Sequence, residues 1–165
     1  MLTSAASSWR PTTGNGIGGR GSTSISSRTT VTDRAKGVLR GFHFQDLSAP
    51  MAKLVRCCSG AVLDVVVDLR VGSATFGRSF ALELTGENHR QLLVPVGFGH
   101  AFLALSEQAD VEYKCGGYYD ASAEQTIAWN DPEIAAAWPI KIPIVSSKDA
   151  RGMTLAEYRT HPAFP

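Results

Sequence analysis

From Val38 onward the apolar residues fall in short runs separated by polar turns. The runs Val38–Phe44, Leu54–Cys58, Ala61–Leu69, Phe80–Leu84, Gln91–Val94, Ala101–Leu105 and Val111–Cys115 are bounded by turn residues such as Ser59-Gly60, Gly72-Ser73, Glu87-Asn88 and Gly116-Gly117. Many short strands at this spacing predict an all-β sandwich or barrel. Asp131–Ala137, with Pro132 at a first-turn position, predicts one short helix. Along Ala61–Leu69 one parity (Ala61, Leu63, Val65, Val67, Leu69) is wholly apolar, whereas the other alternates Val62 and Val66 with Asp64 and Asp68. Carboxylates interleaved with valines predict a lined cavity, or a carboxylate paired with a buried cation. A half-exposed sheet edge is the plainer alternative.

Residues 1–36 lack this pattern. Nineteen of them are Ser, Thr or Gly, and Arg10, Arg20, Arg28, Arg34 and Lys36 stand against Asp33 alone. So little apolar surface cannot readily offset the entropy of ordering, so a mobile leader is expected before a domain spanning 37–165. Gly14-Asn15-Gly16-Ile17-Gly18-Gly19 matches the dinucleotide fingerprint in form, but no strand precedes it and no helix follows. An Arg- and Ser-rich leader also suits an organelle transit peptide, although the glycine content and the lack of amphipathic periodicity argue against one.

Bulk properties narrow the function further. The chain has 165 residues, enough for one core, and a formal net charge of +1. That balance gives no general attraction to nucleic acid or to an anionic membrane. No apolar run approaches the roughly 20 residues of a membrane-spanning helix. Cys57, Cys58 and Cys115 are odd in number and lack a framework spacing, which fits a reducing cytoplasm. Cys57 and Cys58 are adjacent on a strand and should face opposite ways, and all three read as small core fillers.

Two histidines lie between aromatics beside Gly-rich turns: His43 in Gly37-Val38-Leu39-Arg40-Gly41-Phe42-His43-Phe44-Gln45, and His100 in Pro95-Val96-Gly97-Phe98-Gly99-His100-Ala101-Phe102. Such residues are as readily satisfied core histidines as catalysts. Lys53 begins an apolar strand, Tyr113 lies mid-strand, and Tyr118-Tyr119 places two rings at a turn.

Together these stretches resemble a family. Residues 37–45, Ala-Lys-Leu-Val-Arg (52–56), Asp-Val-Val-Val-Asp-Leu-Arg (64–70), Gly-Ser-Ala-Thr-Phe-Gly (72–77), Gly-Phe-Gly-His-Ala-Phe (97–102), Tyr-Lys-Cys (113–115), Tyr-Tyr-Asp (118–120) and Trp-Asn-Asp-Pro (129–132) are similar to dTDP-4-dehydrorhamnose 3,5-epimerases, over roughly residues 37–151. The resemblance implies a cupin-like double-stranded β-helix, or jelly roll, acting as a cytoplasmic homodimer. The implied substrate is dTDP-4-keto-6-deoxy-D-glucose, epimerised at C3, C5 or both in rhamnose-type deoxysugar synthesis. It implies His43 as general base, Tyr113 as opposing proton donor and Lys53 facing the C4 oxygen. Arg40 and Lys148 are implied at the diphosphate, His100 at the substrate, Tyr119 on thymine, Glu124 beside the nucleotide and Asp149 as partner of His43. Asp64 is a second carboxylate that could orient that ring. No cofactor is implied. Metal-binding cupins offer a His-x-His pair, and the corresponding stretch here is His43-Phe44-Gln45, so no metal is expected.

Two consequences can be checked. Arg40 and His43 have opposite parity in an unbroken strand, so both reach one site only if the strand is irregular, with Gly41 the natural place for a bulge. The family's N-terminal Arg-Gly-x-Phe-x-Glu strand has only Arg20-Gly21-Ser22-Thr23-Ser24-Ile25 as a counterpart, and Thr30–Arg34 is a poor copy of the Ser-rich strand after it. The alternative is therefore a nucleotide-sugar-binding cupin that has lost that strand and with it catalysis.

Overall fold

A computed structural model describes residues 30–165, with 30–34 described in backbone only. Among the described residues nine strands run in the order β1 (Thr30–Arg34), β2 (Leu39–Gln45), β3 (Lys53–Ser59), β4 (Ala61–Asp68), β5 (Ser79–Thr85), β6 (Gln91–Val94), β7 (Phe98–Ala104), β8 (Ala109–Cys115) and β9 (Glu124–Thr126). A 3-10 turn at Asp149–Arg151 and the helix α1 (Leu155–Thr160) follow. The strands form two antiparallel sheets, ordered β1-β8-β3-β6 and β5-β4-β7-β2-β9. This is the expected jelly roll.

Strand alternation explains the two apolar layers. Val55, Cys57, Val62, Val66, Leu84, Val94, Phe102, Ala104, Ala109 and Val111 fill the space between the sheets. The opposite parity of β4 and β7 packs Val65, Val67, Leu69 and Ala101 against Phe42, Phe44, Ile127, Leu155, Tyr158 and Phe164. The centre of the five-stranded sheet, at β4 and β7, is thus buried on both faces, which is why the β4 segment reads as an almost continuous apolar run.

The expected helix over Asp131–Ala137 does not form. Asp131 starts one turn, accepting at Oδ1 from the backbone N–H groups of Glu133 (2.9 Å) and Ile134 (3.0 Å). Ala135 N–H closes it on Asp131 O at 3.0 Å, but Ala135 has φ of +46° and propagation stops. The helix lies instead at Leu155–Thr160, where Thr154 and Glu157 form a capping box. Its Tyr158 hydroxyl donates to Leu69 O at 2.9 Å and ties the C-terminal segment to the end of β4.

Two strands were not anticipated. Thr30–Arg34, read as part of the leader, pairs along β8 from Thr30–Tyr113 to Arg34–Ala109. β9 has three residues, too few for an alternating pattern to register. The glycine-rich stretch at 14–19 and the Arg20–Ile25 stretch lie outside the described residues. All three cysteines are free. Cys57 is buried between the sheets and Cys58 is exposed, so the two do face opposite ways, but only Cys57 joins the core clusters. No described helix is long and apolar enough to cross a membrane.

Candidate active site

The site is built at one end of the space between the sheets. Lys53 and Tyr113 come from the four-stranded sheet, where Lys53 pairs with Cys115 and Val55 with Tyr113, so both share the inward parity of Val55. His43, Asp64, His100 and Glu124 come from the five-stranded sheet, with His43 and His100 directly opposed on β2 and β7. Lys148 and Asp149 close the end from the turn before α1.

Asp149 organises the centre. It is 1% exposed. Its Oδ1 lies 2.5 Å from His43 Nε2 and 3.4 Å from the Gly41 backbone N–H, and its Oδ2 accepts from Ser146 Oγ (2.6 Å) and Arg40 Nη1 (3.4 Å). Burial alone would raise its pKa. The hydrogen bonds from His43 and Ser146, the His43 charge and the Gly41 amide outweigh that and hold the carboxyl well below its ordinary range. An ionised Asp149 accepts the Nε2 proton of His43, which leaves Nδ1 with the free lone pair.

Arg40 and His43 reach the same carboxylate because β2 is irregular where expected. The β2–β7 register shifts between Arg40 and His43. Gly41 has φ of +118°, and a Cβ there would lie 2.4 Å from His100 O. Only glycine fits at that position, and the extra residue returns Arg40 to the side of His43.

Asp64 does not orient His43. It is fully buried, and both its oxygens lie 2.9 Å from His100 Nε2. The alternating β4 pattern therefore marked a carboxylate beside a histidine on the neighbouring strand of the same sheet. The His100 ring stands edge-on to Tyr113, with centroids 5.9 Å apart. Asp68, the second carboxylate of that parity, leaves the site. It is bidentate to Arg70 (Nε and Nη2, both 2.8 Å) and accepts from Ser73 Oγ and Thr75 Oγ1 at 2.6 Å each. That clamp accounts for the Asp-Leu-Arg and Gly-Ser-Ala-Thr motifs as loop architecture.

Burial lowers the pKa of the Lys53 ammonium, opposed by Cys115, Glu124 and Asp64. Glu124 pairs with Lys148 and accepts the Tyr119 hydroxyl at 2.6 Å. Burial would raise the Glu124 pKa, but the bonds from Lys148 and Tyr119 lower it, and Glu124 in turn raises that of the Tyr119 phenol. The Tyr119 ring is 54% exposed and lines an open groove of about 540 Å³ with Ala49, Pro50, Tyr118, Asp120 and Ala121.

Ser146 carries no signal in the sequence, and Gln45 is marked there only as a missing metal ligand. Gln45, where a metal-binding cupin has its second histidine, spends its amide on the backbone: Nε2 donates to Ala49 O at 2.6 Å and Oε1 accepts from Asp120 N–H at 2.7 Å. It fixes the loop carrying Tyr119. Among the described residues no group of three or more His, Cys, Asp or Glu is arranged to hold a metal ion.

The family model for dTDP-4-dehydrorhamnose 3,5-epimerase matches residues 13–157, so the likeness begins well before the 37–151 expected from the motifs. The enzyme of that name from Salmonella typhimurium is 49% identical over 116 residues, covering 70% of this chain and 63% of the relative. Its Neisseria gonorrhoeae counterpart is 44% identical over 138 residues, covering 81% of this chain and 42% of the relative. The chain thus spans less than two thirds of the length of these two relatives. Among solved structures, dTDP-6-deoxy-D-glucose-3,5-epimerase from Legionella pneumophila, in complex with dTDP-4-keto-L-rhamnose, superposes with a TM-score of 0.75 at 42% identity, covering 80% of this chain and 72% of that one. With the jelly roll, the His43–Asp149 pair and a match over most of its length, this chain belongs to the dTDP-4-dehydrorhamnose 3,5-epimerase family.

Proposed function

We propose that this protein epimerises a dTDP-4-keto-6-deoxyhexose, dTDP-4-keto-6-deoxy-D-glucose being the substrate, at C3, C5 or both. The observation that carries the reading is the His43–Asp149 pair facing the same interior as Lys53 and Tyr113. C3 and C5 both flank the C4 ketone, so one carbonyl acidifies either hydrogen. His43 Nδ1 takes that proton while Asp149 stabilises the imidazolium that results. Electron density moves to the C4 oxygen, where the Lys53 ammonium supplies charge and a donor. Tyr113 returns a proton to the opposite face of the carbon, which inverts it. Proton equilibration with water then restores His43 and Tyr113. The ketone is the only electron sink the step requires, so the chemistry calls for no redox cofactor or metal.

The remaining contacts follow the same assignment. Tyr119 and Glu124 hold the thymidine end, Arg40 and Lys148 meet the diphosphate, and His100, fixed by Asp64, packs beside the sugar. The working form is a homodimer in the cytoplasm, with a domain that takes in β1 as well as residues 37–165 and carries a leader before it. Incubation with the keto-sugar nucleotide in deuterated water tests the reading. Deuterium at C3 or C5 is expected, and His43→Ala should abolish it. Folded protein that gives no exchange would overturn it. Binding of thymidine diphosphate without exchange would identify the binding-module alternative, favoured by the missing Phe and Glu of the Arg20–Ile25 stretch.

A further inference from the structure

Among the described residues, Thr126 Oγ1 is the one buried side-chain polar atom with no hydrogen-bond partner. The β2–β9 ladder fixes where it lies. Phe42 and Ile127 exchange both backbone hydrogen bonds, at 2.9 and 3.1 Å. The adjoining pair, His43 and Thr126, is therefore a non-hydrogen-bonded pair, the kind in which opposed side chains come closest. Phe42 and Ile127 point into the outer core, so His43 and Thr126 point the other way, into the site. Glu124 shares that face two residues earlier, opposite Gln45. Thr126 is 8% exposed and stands between the Tyr119–Glu124–Lys148 group and the His43–Asp149 pair. Buried hydroxyls are almost always satisfied, so one left over within the fold and facing the site is free to pair with a bound molecule.

We propose that Thr126 Oγ1 hydrogen-bonds a ring hydroxyl of the hexose in the bound sugar nucleotide, next to the carbon that His43 deprotonates. It is thus a residue that selects the sugar rather than the nucleotide. This rests on the reading that the site takes a thymidine-diphosphate sugar. A hydroxyl both donates and accepts, which suits a sugar hydroxyl, and the Glu124 neighbour already serves the nucleotide end.

Calorimetric titration with thymidine diphosphate and with dTDP-glucose, which carries hexose hydroxyls but no ketone, tests the inference. Thr126→Val should weaken dTDP-glucose about five- to tenfold, the value of one hydrogen bond, and leave thymidine diphosphate within about twofold. Thr126→Ser, which keeps the oxygen, should stay within about twofold of the parent for both ligands. Because the hydroxyl has no partner within the fold, Thr126→Val should melt no lower than the parent. An unchanged ratio of the two affinities in Thr126→Val overturns the inference, as does equal weakening of both ligands or a parent that binds neither. Deuterium exchange separates this from the catalytic reading. A parent that exchanges, with an unselective loss in Thr126→Val, keeps the epimerase and removes the Thr126 role. A parent that binds both ligands without exchange, with a selective loss in Thr126→Val, does the reverse.

Discussion

His43 Nε2 and Asp149 Oδ1 lie 2.5 Å apart across 106 residues of sequence, and the same carboxylate also meets Gly41 N–H, Arg40 and Ser146 Oγ. Asp149→Asn keeps the size of the side chain but removes the charge that orients the ring and stabilises imidazolium. Exchange at saturating substrate should fall by about 10²–10⁴, the range ascribed to positioned acid–base groups. KM should stay within about threefold. An unaltered exchange rate in folded Asp149→Asn would show that the pair is structural.

The same carboxylate should leave a mark on stability. Its folded pKa is depressed, so its contribution is full above the ordinary carboxylate value near 4 and is lost as pH falls through the depressed folded value. Wild type should therefore lose melting temperature more steeply below about pH 4 than Asp149→Asn does. Parallel curves from pH 7 to pH 2 would contradict this. Asp68, held the same way by Arg70, Ser73 and Thr75, keeps its own acid dependence in both proteins and serves as an internal reference.

What could be read in the sequence and what could not divides along physical lines. The seven strands anticipated from apolar runs all formed because each buries at least one face, and β4 and β7, buried on both, leave the strongest signature. Parity reasoning located the Gly41 irregularity, since two polar residues of opposite face had to meet. It could not assign Asp64 to His100 rather than to His43. That choice depends on the β4–β7 register, in which Asp64 lies opposite Phe102 and diagonal to His100, and register is a tertiary property. The helix was misplaced because Pro132 after Asp131 signals a first turn without saying whether a second follows. Thr154-x-x-Glu157, which forms a capping box, is the stronger helix signal. β9, which brings Glu124 and Thr126 to the site, is too short to show a period at all.

The Asp68 clamp predicts a stability effect separate from catalysis. Asp68 is 1% exposed and its oxygens accept five hydrogen bonds, three of them from Arg70. Asp68→Ala removes these five bonds but leaves Arg70, Ser73 and Thr75 open to water, and should cost about 1–3 kcal/mol in urea unfolding. Exchange per folded molecule should change less than about threefold, because the clamp lies in the β4–β5 loop and not at His43. A loss of exchange with stability intact would reverse this assignment.

Lys53 sets stability against activity. Burial lowers its pKa, so the fold bears a cost wherever Lys53 is charged inside it. Between the depressed folded value and the ordinary lysine value near 10.4 the unfolded chain binds more protons, so this residue makes stability rise with pH across that window. Lys53→Met fills the same stem volume without the charge. Its melting temperature at neutral pH should equal or exceed that of wild type, and its own pH dependence in the alkaline range should be flatter. Exchange should drop by about 10²–10³, the loss typical of removing one donor to a developing oxyanion. Lys53→Arg keeps a charge but spreads it over a larger plane in a half-buried position, so it should recover little of the exchange. Full exchange in Lys53→Met would remove this ammonium from the C4 oxygen. A fall in melting temperature together with retained exchange would mean that Lys53 serves the packing between β3 and β8 and not the reaction.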